Sequence, residues 1–181
     1  MLSTMFTNAL FIFVILLTFF IVVTVVAHIW IAVPFIPTPK KVCKEMILFS
    51  GIAGGERVYD LGAGDARLLI LAKRRYPSIT AVGVEILPTV WLLGKLRIFL
   101  SRQKVELHLR NVLAQDVSDA DCIFLYLMPD LLQKLEEKFD LELKSGTKVI
   151  SYAFPFPNKH PIKEKDVPWL TGERKLRMYV W

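Results

Sequence analysis

Two kinds of hydrophobic pattern divide the chain. From Ala9 to Ala27 the residues are apolar without a break, and two threonines are the only polar side chains. As a helix rising about 1.5 Å per residue, this run predicts a rod of roughly 28 Å, one bilayer core long. Beyond Lys40 the apolar positions become periodic. Val42, Met46 and Phe49 recur at helical spacing and predict a helix buried on one face, ended at Ser50-Gly51. Thr38 is the expected cap of that helix, with Pro39 at its first position. Strands are then predicted at Arg57–Leu61, Ile79–Glu85, Val105–Leu109, Cys122–Leu127 and Thr147–Phe154. Helices are predicted between them at Ala66–Arg75, Pro88–Ser101 and Asp130–Leu141.

Strands that alternate with helices predict a Rossmann-like α/β fold, its sheet mostly parallel and covered on both faces. The end of the chain differs. Ile162–Val167 and Lys175–Trp181 read as strands joined through Pro168–Gly172, too short a link for a parallel crossover, so an antiparallel C-terminal hairpin is expected. The expected organisation is an apolar anchor (residues 1–33), a proline linker with its leading helix (34–56) and an α/β domain (57–181).

Charge sharpens the division. Residues 1–39 contain no Lys, Arg, Asp or Glu, so all 23 basic and 17 acidic residues follow Pro39. No basic residue precedes the apolar run, which is also longer than the ~7–15-residue core of a signal peptide, so a retained single-pass anchor through residues 9–33 is expected. Lys40, Lys41 and Lys44 follow it, which places the folded domain on the cytoplasmic side, against anionic headgroups. The net charge of +6 has no zinc finger, recognition helix or aromatic-basic motif beside it, so the expected partner is the membrane and not nucleic acid. Three scattered histidines and two cysteines make no metal-ligand spacing, and no metal is expected.

The candidate chemistry sits where the first strand meets its helix, at Asp60-Leu61-Gly62-Ala63-Gly64-Asp65-Ala66. Glycines there allow a tight turn and close approach of a ligand to the backbone. Glu85, at the end of the second strand, can accept both hydroxyls of a ribose. A nicotinamide dinucleotide would prefer a third glycine where Arg67 stands. The carboxylate two residues before the first glycine resembles instead the S-adenosylmethionine loop, with Ala66 where a further glycine often sits. That cofactor carries an ammonium and a sulfonium, which suit Asp60 and Asp65.

Five short motifs extend the resemblance. They are Pro34-Phe35-Ile36-Pro37-Thr38, Asp60–Arg67, Gly83-Val84-Glu85-Ile86-Leu87-Pro88, Tyr126-Leu127-Met128-Pro129 and Phe154-Pro155-Phe156-Pro157. In this order they resemble the membrane-anchored seven-strand protein-lysine methyltransferases, a family that includes the mitochondrial enzymes acting on the adenine nucleotide translocase and on the ATP synthase c-subunit. The resemblance implies a class I methyltransferase sheet, S-adenosylmethionine as cofactor, and a lysine of an integral membrane protein as acceptor. It assigns cofactor binding to Asp60, Gly62, Gly64, Asp65 and Glu85, with Asn111 near the adenine. The acceptor channel would be lined by Tyr126, Pro129, Phe154 and Phe156. The chain has Tyr-Leu-Met-Pro where many amino-methylating enzymes carry an Asn/Asp-Pro-Pro-aromatic motif.

Methylating an amine requires donor and acceptor in line at ~3–3.5 Å and a lysine (pKa ~10.4) that has lost its proton. Asp65 or Tyr126 could orient or accept that proton, and the sequence does not choose between them. Two other functions share these features: methylation of a lipid-soluble small molecule, and a non-catalytic membrane module that binds the cofactor.

Overall fold

The computed structural model describes residues 2–31, 36–169 and 172–181. The Pro34-Phe35 half of the linker and the hairpin turn at residues 170–171 lie outside the described residues. The chain runs α1 (Leu2–Ile31), α2 (Lys40–Ser50), β1 (Arg57–Leu61), α3 (Arg67–Arg75), β2 (Thr80–Glu85), α4 (Pro88–Ser101), β3 (Glu106–Leu109), a 3-10 turn (Val112–Ala114), β4 (Cys122–Leu125), α5 (Pro129–Glu142), β5 (Lys148–Tyr152), β6 (Lys163–Trp169) and β7 (Gly172–Val180). The seven strands form one sheet in the order β3-β2-β1-β4-β5-β7-β6. The first five are parallel, while β7 runs antiparallel to both β5 and β6. The expected class I sheet with its C-terminal hairpin is therefore present. Pro168 is tolerated in β6 because an edge strand needs no second ladder.

Side chains alternate between the two faces of the sheet. Val58, Cys122, Phe124, Ile150 and Tyr152 pack with α2 and α3, while Tyr59, Leu61, Ile123, Leu125 and Val149 pack with α5. Helix α2 buries Val42, Cys43, Met46, Ile47 and Phe49 in the first of these cores. α2 thus packs as part of the core on the α3 side of the sheet. Gly51 ends α2 in the left-handed conformation, as the sequence predicts. The expected cap is displaced: Pro39 occupies the N-cap position, and Thr38 turns its carbonyl to Arg67 instead.

Two boundaries differ for a local reason. β5 stops at Tyr152 because Ala153 has φ +72°, which turns the chain out of the ladder before Phe154. β4 stops at Leu125, so Tyr126 and Leu127 belong to the loop at the C-terminal edge of the sheet, where open α/β sheets place their ligands. α1 contacts α4, and its apolar stretch from Met5 to Val23 is buried nowhere in the structure. It is a helix of the length and composition that cross a membrane.

Candidate active site

The glycine turn is shaped by β1 and its neighbour. The carbonyl of Val84 in β2 accepts the N–H groups of both Gly62 (2.8 Å) and Ala63 (2.9 Å). Gly62 has φ +83°, and a Cβ there would stand 2.8 Å from Cδ2 of Leu127. Gly64 and Ala66 follow at φ +57° and +60°. Ala66 therefore holds a left-handed conformation that costs an L-residue roughly 1–2 kcal/mol, which explains why glycine is favoured at this point of such loops.

Glu85 organises the turn. Its carboxylate accepts the N–H of Gly64 (2.9 Å) with one oxygen, and those of Ile86 (2.8 Å) and Leu87 (2.9 Å) with the other. One buried side chain thereby ties the glycine turn to the start of α4. α4 also presses on the turn directly. A Cβ at Gly94 would lie 3.1 Å from the carbonyl of Gly64 and 2.7 Å from Leu107, so glycine is what permits this approach.

The two aspartates that flank the glycines have opposite surroundings. Asp65 is buried against two guanidinium groups, Arg67 at 2.6 Å and Arg97 of α4 at 2.8 Å. Arg67 in turn donates to the carbonyl of Thr38 at 3.1 Å, joining the loop to the segment that enters α2. Asp60 is 7 % exposed and accepts no hydrogen bond among the described residues. Burial, with the carboxylates of Glu85 and Asp65 nearby, pushes its pKa from 3.8 up to about 7. A buried carboxylate without a donor either keeps a proton or pairs with a cation.

Asn111 is exposed after β3, and its Oδ1 accepts the N–H of Leu113 (3.0 Å) to cap the 3-10 turn. Tyr126 is half-buried at the sheet edge. Its hydroxyl accepts from Arg174 of β7 at 2.5 Å, and its ring lies 4.8 Å from that of Tyr152. The Arg174 guanidinium stands over both rings, at 5.9 and 6.0 Å. Burial pushes the Tyr152 phenol up to about 12, so it is neutral. Pro129 is exposed as the first residue of α5.

The proline-aromatic loop requires a correction. Phe156 is 3 % exposed and packs against Tyr179 (5.0 Å), Trp181 (5.2 Å) and Phe139 (6.2 Å) in the α5-side core. Phe154 packs against the same core. Both lie on the face of the sheet opposite Tyr126, because the turn at Ala153 carries the chain across. The aromatic partner of Tyr126 is Tyr152. Tyr152, Arg174, Gly94 and Arg97 were not singled out from the sequence. Tyr152 had a signal in its place at the end of a strand, whereas the contacts of the other three depend on strand order and helix packing.

The site fits S-adenosylmethionine by its own chemistry. A buried acidic pair faces a glycine turn whose backbone lacks the side chains that would cover it. Comparison with known proteins agrees. Residues 60–163 match the ANTKMT methyltransferase domain. A protein-lysine N-methyltransferase of Saccharolobus islandicus is 31% identical across 71% of this chain and 81% of its own length. The adenine nucleotide translocase lysine N-methyltransferase of Mus musculus is 31% identical, and the ATP synthase c-subunit lysine N-methyltransferase of Homo sapiens 29%. Each aligns with 72% of this chain, which spans 57% and 56% of their lengths. Among solved structures, an RNA methyltransferase from Salinibacter ruber in complex with S-adenosyl-L-homocysteine superposes with a TM-score of 0.73 at 28% identity, covering 80% of this chain and 93% of that one. Fold, loop chemistry and relatives agree that the chain belongs to the ANTKMT methyltransferase domain family and is an S-adenosylmethionine-dependent methyltransferase.

Proposed function

We propose that this protein is a membrane-anchored protein-lysine N-methyltransferase that acts on a lysine of an integral membrane protein close to the cytoplasmic surface. The observation that carries the membrane part is the stretch Met5–Val23 of α1, long and apolar enough to cross a bilayer, and the Thr38–Arg67 bond ties the domain's cofactor loop to the connector that follows it. Eight residues separate Ile31, the last of α1, from Lys40. Even fully extended they reach no more than about 32 Å. The final part of this connector is tied to the arginine that holds the cofactor loop. An enzyme built this way works within a short distance of wherever α1 resides. The lysine acceptor is supported by the archaeal and mammalian relatives, two of which are named for membrane-protein substrates.

In this reading the cofactor supplies a methyl group activated on a sulfonium. Asp60 would hold its ammonium, Glu85 would accept its ribose hydroxyls, and the backbone at Gly62 and Gly64 would leave room for it. Asn111 would be the residue on the adenine side. Tyr126, half-exposed and backed by the fully buried ring of Tyr152, forms an aromatic wall that strips water from the acceptor amine, which favours its neutral form. The Arg174 guanidinium acts in the same direction, since a fixed positive charge disfavours a second one nearby.

Asp65, one of the two candidates for handling the amine proton, has both its oxygens engaged by guanidinium groups and braces the loop instead. Asp65→Asn is expected to lower thermal stability and cofactor affinity together. The loss is roughly 1–3 kcal/mol, below the ~3–5 kcal/mol of a fully buried pair because both arginines reach solvent. Thermal melts and titration calorimetry check it; a variant with unchanged melting and cofactor affinity but a reduced kcat would return Asp65 to a proton-handling role.

The decisive experiment incubates the protein with methyl-labelled S-adenosylmethionine and whole membranes, then separates protein, lipid and RNA. Label on a lysine of an integral membrane protein is expected. Replacing residues 1–33 by a soluble tag is expected to cut that labelling sharply and leave cofactor affinity intact, because the anchor raises the acceptor's effective concentration. Label in the lipid or RNA fraction, or equal labelling of membranes by the tagged chain, would overturn the proposal. Release of the full chain by alkaline carbonate would overturn its membrane part.

A further inference from the structure

α4 has two apolar faces and the domain uses one of them. Val90 and Gly94 are buried, and Trp91 and Ile98 pack beside them, over β3 and the cofactor loop. The outward face carries Leu92, Leu93, Leu96, Phe99 and Leu100, of which Phe99 is 79% and Leu100 70% exposed. At 3.6 residues per turn these five fall within an arc of about 120°, interrupted by Thr89 alone. Scattered exposed leucines need no explanation, but a contiguous apolar stripe on one helix does.

We infer that the outward face of α4 lies in the membrane interface, so that the domain rests on the bilayer through α4 as well as through α1. Three observations choose lipid as the occupant. α1, the membrane-length helix, contacts α4, so the stripe continues an apolar surface that already needs a bilayer. Cations border the stripe where headgroups would lie: Lys95 along its edge, and Arg102 and Lys104 exposed just past the helix end. On the same side of the sheet, α2 presents exposed Lys40, Lys41 and Lys44. An apolar helix face with cations at its borders is what an interfacial helix presents to lipid, and the inner apolar face of α4 is already covered by the domain.

The consequence is orientation. α4 touches the Gly64 carbonyl through Gly94 and Asp65 through Arg97 on its inner side. Docking its outer side on the bilayer therefore sets the height and tilt of the cofactor loop above the membrane, which an eight-residue tether alone leaves free. The inference rests on the proposed membrane insertion of α1.

The test uses the full chain in vesicles of phosphatidylcholine and phosphatidylglycerol. Cys43 and Cys122 are buried, and burial pushes both thiols up to about 12, so an introduced cysteine is the reactive one. An environment-sensitive dye is placed at Phe99→Cys, at Ile15→Cys in α1, or at Leu141→Cys on α5 across the sheet. Nitroxide-bearing lipids are expected to quench the dye at 99 and at 15 but not at 141. Leu96→Glu with Phe99→Glu is expected to reduce quenching of a dye at Leu92→Cys about tenfold or more, given what burying each apolar side chain is worth. Methylation of a membrane-borne acceptor falls with it, while cofactor affinity holds. Quenching at 15 without quenching at 99 overturns the role of α4 and leaves the anchor standing. Absence of quenching at 15 overturns the anchor itself. A dye at 99 that is shielded from water but unquenched by lipid, and that self-quenches as protein density rises, assigns the face to a second copy of the chain. Undiminished methylation after quenching is lost would overturn the orienting role.

Discussion

Glu85→Ala is expected to abolish useful binding of S-adenosylmethionine and to destabilise the domain. In the protein, one buried carboxylate satisfies the backbone N–H groups of Gly64, Ile86 and Leu87. Hydrogen bonds to a charged acceptor contribute about 1.5–3 kcal/mol each. Water enters the vacated space and recovers part of that, so the expected net loss of stability is roughly 3–5 kcal/mol. The expected loss of cofactor affinity is about a hundredfold or more, since the turn that meets the cofactor loses its tie to α4 at the same moment as the ribose loses its acceptor. Glu85→Gln separates the two roles. Its amide oxygen can still accept from Ile86 and Leu87, but its NH2 opposes the Gly64 N–H, donor against donor. Stability should be largely restored while affinity stays low. Thermal melts and titration calorimetry on the three proteins decide it, and a folded Glu85→Ala variant with unchanged affinity would remove Glu85 from the cofactor site.

How much of this was legible in the sequence depended on the range of the interactions. The strand and helix order was legible because Gly or Pro punctuates most junctions: Gly51, Pro77, Pro88, Pro129 and Gly146 all sit within two residues of an element boundary. The glycine turn was legible for the same reason, since residues free to adopt positive φ advertise themselves. Ala153 and Ala66 did not, although both adopt positive φ, and the turn at the first of them carries Phe154 and Phe156 to the face of the sheet opposite Tyr126, away from the acceptor channel they were expected to line. α4 was identified as a helix, but its two apolar faces blur the 3.6-residue periodicity that separates inside from outside. Only packing shows which leucines remain uncovered.

The sharpest contrast between sequence and structure concerns Asp60 and Asp65. In sequence they are equivalent, one acid on each side of Leu-Gly-Ala-Gly, and both suit a cationic cofactor. The structure separates them through a residue 32 positions along the chain, because Arg97 reaches Asp65 from α4 and among the described residues no cation pairs with Asp60. The arginine that decides their roles lies on a helix whose register against the loop is set by Gly94. No local pattern encodes that pairing.

That difference yields an effect of opposite sign on stability and on binding. In the folded protein Asp60 holds its proton up to about pH 7, against an ordinary value of 3.8. Between those limits the unfolded chain has ionised this group and the folded protein has not. The folded state therefore binds more protons, and stability contributed by this site falls as pH rises from about 4 to about 7. At about 1.36 kcal/mol for each pH unit, the cost of holding Asp60 ionised above pH 7 is about 4 kcal/mol in the cofactor-free protein. Asp60→Asn removes it, so the variant is expected to melt higher than wild type at pH 8 and to show little of this pH dependence. Cofactor binding responds in the other direction, because the ammonium group needs the carboxylate ionised. Below its pKa, Asp60 must release a proton when the cofactor binds, so affinity is expected to rise toward tenfold per pH unit and to level off above about pH 7. Asp60→Asn is expected to bind weakly at every pH, with no such slope and no released proton. Calorimetry in buffers of different ionisation enthalpy counts that proton directly. Wild-type affinity that stays flat between about pH 6 and pH 7.5, or an Asp60→Asn variant less stable than wild type at pH 8, would show that Asp60 has a stabilising partner of its own and is not the group waiting for a cation.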